Sequence, residues 1–346
     1  MVTASIRSIG TAFPPALDQQ DAWDGFFAAH YDDSRVARRI WQNAGVDRRH
    51  VAVDPRVEDL RDVSTGARMR RFVQEALPLG KEAVQACLVG AGLGAGDVDV
   101  LTVVSCTGYA TPGIDILLAR DVDMRADLQR THVGHMGCYA ALAALGSVTD
   151  AAVARGKRGV LLCIELTSLH IQPPTDDLQQ LVTHALFSDA AAAIAVMPDG
   201  PGLEVLDIVS CTDATTTDHM SWEITDLGFR MGLGPRVASV LERHVGRVVT
   251  DLLDSHGVRI GDVDHWAIHP GGPKVVDAVG RKLGLDDSAL AASRHVLRRH
   301  GNCSSATVLL VLDELLRAHE PQRGDHVVAL AFGPGLTLYA ALLRCR

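Results

Sequence analysis

The sequence predicts an α/β protein assembled from two similar halves. Three observations lead there: a short motif that recurs with its surroundings, helix and strand patterns that alternate in the same order around each copy, and enough apolar residues to fill a large core. The motif Gly96-Asp97-Val98-Asp99 returns as Gly261-Asp262-Val263-Asp264, an offset of 165 residues (261 − 96). Ahead of each copy, residues 81–93 and 246–258 carry the apolar period of an amphipathic helix, with Val84 in register with Val249 and Leu88 with Leu253. Behind each copy, the short apolar runs 100–104 and 265–268 read as buried strands. At the same offset Gly137-Cys138-Tyr139-Ala140 falls on Asn302-Cys303-Ser304-Ser305. Each tetrapeptide leads into a long apolar helix, 139–154 and 304–318, and each helix feeds a strand, 159–164 and 326–332. Helix, strand, helix, strand, twice over, implies layered α/β architecture with mostly buried strands. Pro198, Gly200, Pro201 and Gly202 punctuate the join, so the halves are expected at 1–198 and 199–346.

At 346 residues the chain exceeds what one core usually serves, and 47% hydrophobic against 22% charged residues, with no acidic or basic block, describes a folded globular protein. A net charge of −9 argues against a nucleic-acid or anionic-membrane partner, because such binding needs clustered Lys and Arg. The first residues show no charged segment leading into an apolar run, and no apolar stretch reaches the ~20 residues of a membrane helix. A cytoplasmic protein without a membrane partner is expected. Seven cysteines, an odd number without a CxxC pair, fit a reducing compartment and give neither a disulfide framework nor a zinc site. The glycines fall in neither a GxGxxG nor a P-loop context, so no metal, nicotinamide or flavin cofactor is expected.

Cys138 follows Gly134-His135-Met136-Gly137 and opens a helix, where the dipole and free N–H groups favour thiolate over thiol and lower a pKa of ~8.5. A thiolate there can take an acyl group from a thioester; the plainer reading is a small buried cysteine. His269 ends a strand and precedes the rigid Pro270-Gly271-Gly272-Pro273, at the strand end where open α/β sheets put ligands. Asn302 precedes a helix and reads either as an ordinary N-cap or, with Ser304 and Ser305 available for that task, as a free polar group. Cys303 also opens a helix and ranks second as nucleophile, lacking an equivalent of Gly137. Cys87, Cys106, Cys163, Cys211 and Cys345 read as core or surface thiols, Cys106 as a candidate cavity wall.

The stretch 265–273, the Gly301-Asn302 and Ser304-Ser305 pairs, and Phe332-Gly333-Pro334-Gly335-Leu336-Thr337 resemble the His, Asn and C-terminal loop motifs of the type III polyketide synthases, the chalcone synthase-like family. So do Glu165-Leu166-Thr167 and the segment 185–190, and the similarity runs from about residue 79 to the end. The resemblance implies the duplicated five-layered αβαβα thiolase fold and a homodimer. It implies that Cys138 is acylated by an acyl-CoA starter while His269 and Asn302 polarise the thioester of a malonyl-CoA-type extender, whose decarboxylation gives the attacking enolate. An imidazole and a carboxamide supply the two donors an enolate oxygen needs. The backbone at 333–336, Gly335 included, is expected to shape the cavity and donate to the oxyanion. Phe187 and Phe229 match the phenylalanines between coenzyme A tunnel and cavity, Thr167 and Ser304 line that cavity, and Arg39, with Arg38, Arg48 and Arg49 near it, is the candidate for coenzyme A phosphates.

The departures bear on product. Ala331 replaces the first glycine of the family's GFGPG motif, His135-Met136 replaces a polar pair, and the N-terminal region is shorter. His170 stands where plant enzymes carry Thr, and Met220 where they carry Gly, so a narrow cavity and one to three extensions are expected. The runner-up is a ketosynthase of the initiating fatty-acid type, fed by an acyl carrier protein. A papain-like hydrolase leaves the duplication unexplained, and a non-catalytic partner leaves the three polar residues unexplained.

Overall fold

The structure, a computed structural model, describes residues 2–346. The described residues form strands β1 (Ala4–Ala12), β2 (Ala16–Asp18), β3 (Arg48–His50), β4 (Val100–Ser105), β5 (Gln129–Gly134), β6 (Gly159–Glu165), β7 (Ala190–Pro198), β8 (Leu203–Thr212), β9 (Met220–Thr225), β10 (Gly228–Leu233), β11 (His265–Ile268), β12 (His326–Gly333) and β13 (Thr337–Cys345). Nine hydrogen-bond in the order β11-β12-β13-β8-β1-β7-β6-β4-β5, while β9 pairs with β10 and β2 with β3. The two halves of the large sheet meet at a narrow seam, where β1 and β8 pair only through Ser5 with Glu204 and Ile6 with Leu203. Around that seam each half repeats one plan. A parallel pair, β4 with β6 or β11 with β12, is followed by two antiparallel partners, β7 and β1 or β13 and β8.

Side chains alternate along each strand, and the alternation sorts them into three cores. On β6, Leu161 and Cys163 enter one core and Val160, Leu162 and Ile164 another. On β12, Val327, Ala329 and Ala331 share the first of these, while Val328, Leu330 and Phe332 enter a third. The shared core contains the helices Ala140–Arg155 and Thr307–Ala318, both apolar on most of their circumference, which is the pattern of a helix buried between layers. Thr65–Ala91 covers the outer face of the first half, and Val237–Ser255 with Pro273–Leu283 that of the second. Helix, sheet, helix, sheet, helix is the five-layered αβαβα arrangement.

The expected helix at 81–93 is the back half of Thr65–Ala91. Its front half carries Arg68, Arg70, Arg71 and Pro78, which break up the apolar period. The helix expected at 246–258 begins earlier, at Val237, and ends at Ser255. The duplication fails at one strand: β5 has no partner copy, because the second half forms the helix Ala291–His300 there. β5 is therefore an outer edge, with Gln129, Arg130, Thr131 and His132 exposed except for the pairing with β4.

Candidate active site

Between the end of β5 and the helix at Ala140 the chain turns through His135 (φ 58°) and Gly137 (φ 82°), two left-handed residues. At Gly137 a Cβ would lie 2.6 Å from Cδ of Pro334, so only glycine lets this turn close against the loop after β12. The turn delivers Cys138, 4% exposed, with its thiol directed at Ser304 Oγ 3.6 Å away. The helix begins two residues past Cys138, and the expected lowering of its pKa is not what the surroundings produce. Burial pushes the thiol up to about 12, against the lowering effect of the Ser304 hydrogen bond and with a smaller addition from the Glu165 carboxyl. Removing water costs a thiolate more than the partial charges of one helix end return, so the resting group is a neutral thiol.

Ser304 and Asn302 come from the turn before the helix Thr307–Ala318. Gly301 (φ 70°) admits a close approach in which the Asn302 N–H donates to Leu186 O at 2.9 Å and Asn302 O accepts from the Ser188 N–H at 3.0 Å. Asn302 is then bridged to Phe187 in parallel fashion. Its Oδ1 accepts from the Ser304 N–H at 2.9 Å and from Thr307 Oγ1 at 3.4 Å. Asn302 thus closes the turn ahead of the helix through its side chain, although the cap positions themselves are Cys303 and Ala306. The carboxamide also has a second end: Nδ2 makes no hydrogen bond among the described residues and remains a donor.

His269 sits at the end of β11, 1% exposed, its N–H donating to Leu330 O at 2.8 Å. That bond ties it to β12, whose following loop packs on Gly137. Its Nδ1 has no hydrogen-bond partner among the described residues, and burial lowers its pKa to about 3, leaving a neutral imidazole. Cys303 faces the other way: it is fully buried in the shared core, its thiol donates to His300 O at 3.4 Å, and burial raises its pKa strongly.

Two small chambers adjoin this turn. One of about 20 Å³ is lined by Cys138, Cys106, Thr107, His135, Ser304 and Pro334. The other, about 40 Å³, is lined by His170, Gln180, His184, Phe229 and Arg49 among others. Thr167, Phe187, Trp222 and Met231 border both. Thr167 is fixed by Oγ1 bonds to Ser188 O and Asp189 Oδ1, each 3.0 Å. His170 is fully tied in. Its Nε2 lies 2.7 Å from Thr107 O and its Nδ1 accepts from the Phe229 N–H at 3.0 Å, which fixes the tautomer with the proton on Nε2. Its ring stacks on Phe229 with centroids 4.5 Å apart.

Met220 is buried but borders neither chamber; Trp222 and Met231, paired across β9 and β10, stand there instead. Gly335 lies in the loop behind Pro334 and borders neither, and the Leu336 N–H is spent on Thr216 Oγ1 at 3.0 Å. Arg39 is exposed, its side chain free of hydrogen bonds and ion pairs among the described residues. Arg38 and Arg48 pair with Asp33 and Asp18. Arg49 is unavailable to any phosphate. It is 4% exposed and donates to Gln19 and to the carbonyls of His184, Ala185 and Phe187.

Cys106 and Glu165 form the floor. Cys106 Sγ is 3.3 Å from Ser304 Oγ, and the fully buried Glu165 accepts from Ser305 Oγ at 2.5 Å, Thr107 Oγ1 at 2.8 Å and the Cys106 N–H at 3.0 Å. Burial raises the Glu165 pKa against those donors.

Comparison with known proteins bears on the whole length. The family described as chalcone and stilbene synthases matches through its N-terminal domain at residues 2–200 and its C-terminal domain at 209–346, further toward the N-terminus than the motifs reached. The chain is 35% identical over 352 residues to a 1,3,6,8-tetrahydroxynaphthalene synthase of Streptomyces peucetius subsp. caesius, covering 98% of this chain and 93% of the relative. It is 33% identical over 353 residues to a 3,5-dihydroxyphenylacetyl-CoA synthase of Streptomyces toyocaensis, covering 98% and 89%. The crystal structure of PKS-I from the brown alga Ectocarpus siliculosus superposes with a TM-score of 0.93 at 25% identity, over 100% of this chain and 99% of that one. These likenesses do not favour a carrier-protein ketosynthase or a non-catalytic partner. Matched through both halves and along nearly all of its length, the chain is an enzyme of the chalcone and stilbene synthase family, the type III polyketide synthases.

Proposed function

We propose that this polyketide synthase carries its acyl chain on Cys138 and extends it from malonyl-CoA-type units, with His269 and Asn302 as the donors that hold the extender. The Cys138 sulfur attacks the starter thioester carbonyl as its proton passes to the neutral His269 imidazole; coenzyme A departs with that proton as the free thiol. The bond between the malonyl α-carbon and its carboxylate then breaks, CO2 leaves, and the electron pair becomes an enolate whose oxygen faces Asn302 Nδ2 and an imidazole N–H. The enolate carbon forms the new C–C bond to the acyl carbonyl, the C–S bond to Cys138 breaks with its electron pair on the sulfur, which takes a proton from water, and a β-ketoacyl-CoA results.

The observation that carries this reading is the divided carboxamide of Asn302. Its oxygen is held by Ser304 and Thr307, so its nitrogen is a pre-aimed donor on the turn whose Ser304 touches the Cys138 thiol. No cofactor is needed beyond the coenzyme A thioesters. Phe187, Phe229, Thr167, His170 and Ser304 shape the acyl cavity, and Arg39 is the free cation offered to coenzyme A phosphates. Chambers of about 20 and 40 Å³ favour one to three extensions. The open edge of β5 supports a homodimer formed by strand pairing across a twofold axis. No helix among the described residues is long and apolar enough to cross a membrane, and seven free thiols fit a reducing cytoplasm.

Intact-protein mass spectrometry after incubation with a panel of acyl-CoA starters tests the reading. A starter-sized adduct on the wild type, absent from Cys138→Ala and consumed when malonyl-CoA is added, is expected. An adduct that survives Cys138→Ala would overturn it.

A further inference from the structure

We infer that Trp222 is a specificity-determining wall that favours two-carbon starters on Cys138, by narrowing the passage from the nucleophile's chamber to the larger one behind it. The inference rests on the assignment of Cys138 as acyl carrier and goes beyond it to the class of starter.

The two chambers share four lining residues, Thr167, Phe187, Trp222 and Met231. Thr167 is small and fixed by its hydroxyl, and Met231 is a flexible chain that can give way. Trp222 is neither small nor free. Its Nε1–H donates to Cys106 O at 2.5 Å, on the floor of the small chamber. Its ring stands edge-on to His170 at 5.6 Å and to Phe229 at 6.0 Å, and those two rings are stacked on each other. His170 is in turn immobile. Both of its nitrogens are bonded, and the segment that carries it is held by the buried Arg68, whose guanidinium donates to Leu169 O at 2.7 Å and to Ile171 O at 3.0 Å. The indole is therefore locked from three sides.

The space left beside Cys138, about 20 Å³, holds about two groups of water or methylene size. A two-carbon acyl group fills it, and a longer tail must pass the indole. The space beyond is about twice as large and mainly apolar, with Phe229, Ile171 and Phe27 among its walls. A wall that separates an occupied small chamber from a larger apolar one is the arrangement in which one side chain sets chain length.

The test is the initial rate of acyl-enzyme formation on the full chain, by intact-protein mass spectrometry, with acetyl-, butanoyl-, hexanoyl- and octanoyl-CoA supplied singly and without extender. In the wild type the octanoyl rate is expected at least about tenfold below the acetyl rate. In Trp222→Ala the octanoyl-to-acetyl ratio rises at least about tenfold. Trp222→Phe keeps a ring in place but not the bond to Cys106 O, and retains the wild-type order if the wall and not the hydrogen bond is what matters. Met231→Ala widens the same opening from the facing strand and gives a smaller rise, which remains readable if Trp222→Ala does not fold. Equal labelling of the wild type by all four esters, or a ratio unmoved in both Trp222→Ala and Met231→Ala, overturns the inference. A wild type labelled by none of them overturns the assignment of Cys138 itself.

Discussion

Asn302→Ala separates the two tasks assigned to one carboxamide. On the structural side it removes Oδ1, leaving the buried Ser304 N–H without its acceptor at 2.9 Å, which costs about 1–3 kcal/mol for an unsatisfied buried donor. The weaker contact from Thr307 Oγ1 at 3.4 Å adds little, since that hydroxyl keeps its bond to Ser304 O at 2.9 Å. On the chemical side it removes Nδ2, the donor proposed to meet the developing negative charge. Loss of one such donor lowers turnover roughly 100- to 1000-fold, about 2.7–4 kcal/mol of barrier. The two effects are read separately: urea unfolding for the first, CO2 release from malonyl-CoA for the second. Starter acylation without extender serves as the internal control, because the enolate donor is not used in that step. Decarboxylation in the variant within threefold of wild type, or acylation and decarboxylation falling by the same factor, would refute the division of labour.

Other expectations follow from the same contacts. Cys303→Ala retains the acyl adduct on Cys138 while losing on the order of 1 kcal/mol in urea, because its sulfur fills the shared core and not the cavity; loss of the adduct would reverse the ranking of the two thiols. His170 has a folded pKa of about 3, lowered by burial, against 6.5 in the unfolded chain. The native state therefore binds fewer protons in that window, and the stability His170 contributes is present above pH 6.5 and lost as pH falls toward 3. At pH 5 the loss is about 2 kcal/mol, so the fall in unfolding free energy from pH 7 to pH 5 is smaller by about that amount in His170→Gln. An unchanged fall would mean that His170 titrates normally. Gly137→Ala puts a methyl group 2.6 Å from Pro334 at φ 82°. It is expected to slow acylation by more than tenfold at a stability cost of roughly 1–3 kcal/mol; stopped-flow labelling at the wild-type rate would show that the turn adapts.

The duplicated plan was legible because four elements shared one offset, and only burial on both faces gives such continuous apolar runs in both copies. The residues before Lys81 hid the front of their helix because Arg68, although fully buried, is written in a charged letter. β9 and β10 do not announce a hairpin in the sequence, and that conceals Trp222. Alternation puts Met220, Trp222 and Ile224 on one face, but along that face burial runs from a buried Met220 to an exposed Ile224. Only the middle residue reaches the cavity. Arg48 and Arg49 illustrate the opposite case. As neighbours on β3 they point to opposite faces, one to Asp18 and solvent, the other into carbonyls, and the period of two would have separated them. The pKa of Cys138 could not be read from its place before a helix, since it depends on how completely Ser304, Cys106 and Pro334 close over the sulfur.

The edge strand β5 ends at Gly134, and Cys138 follows four residues later. The chain between them is the turn through His135 and Gly137 that decides where the sulfur points. A second strand laid along β5 would stiffen the base of that turn, and a lone chain leaves it anchored through β4 alone. On the proposed pairing of β5 across a homodimer, the reactivity of Cys138 would depend on how crowded the molecules are, and specific activity would climb with protein concentration until every such edge had found its neighbour.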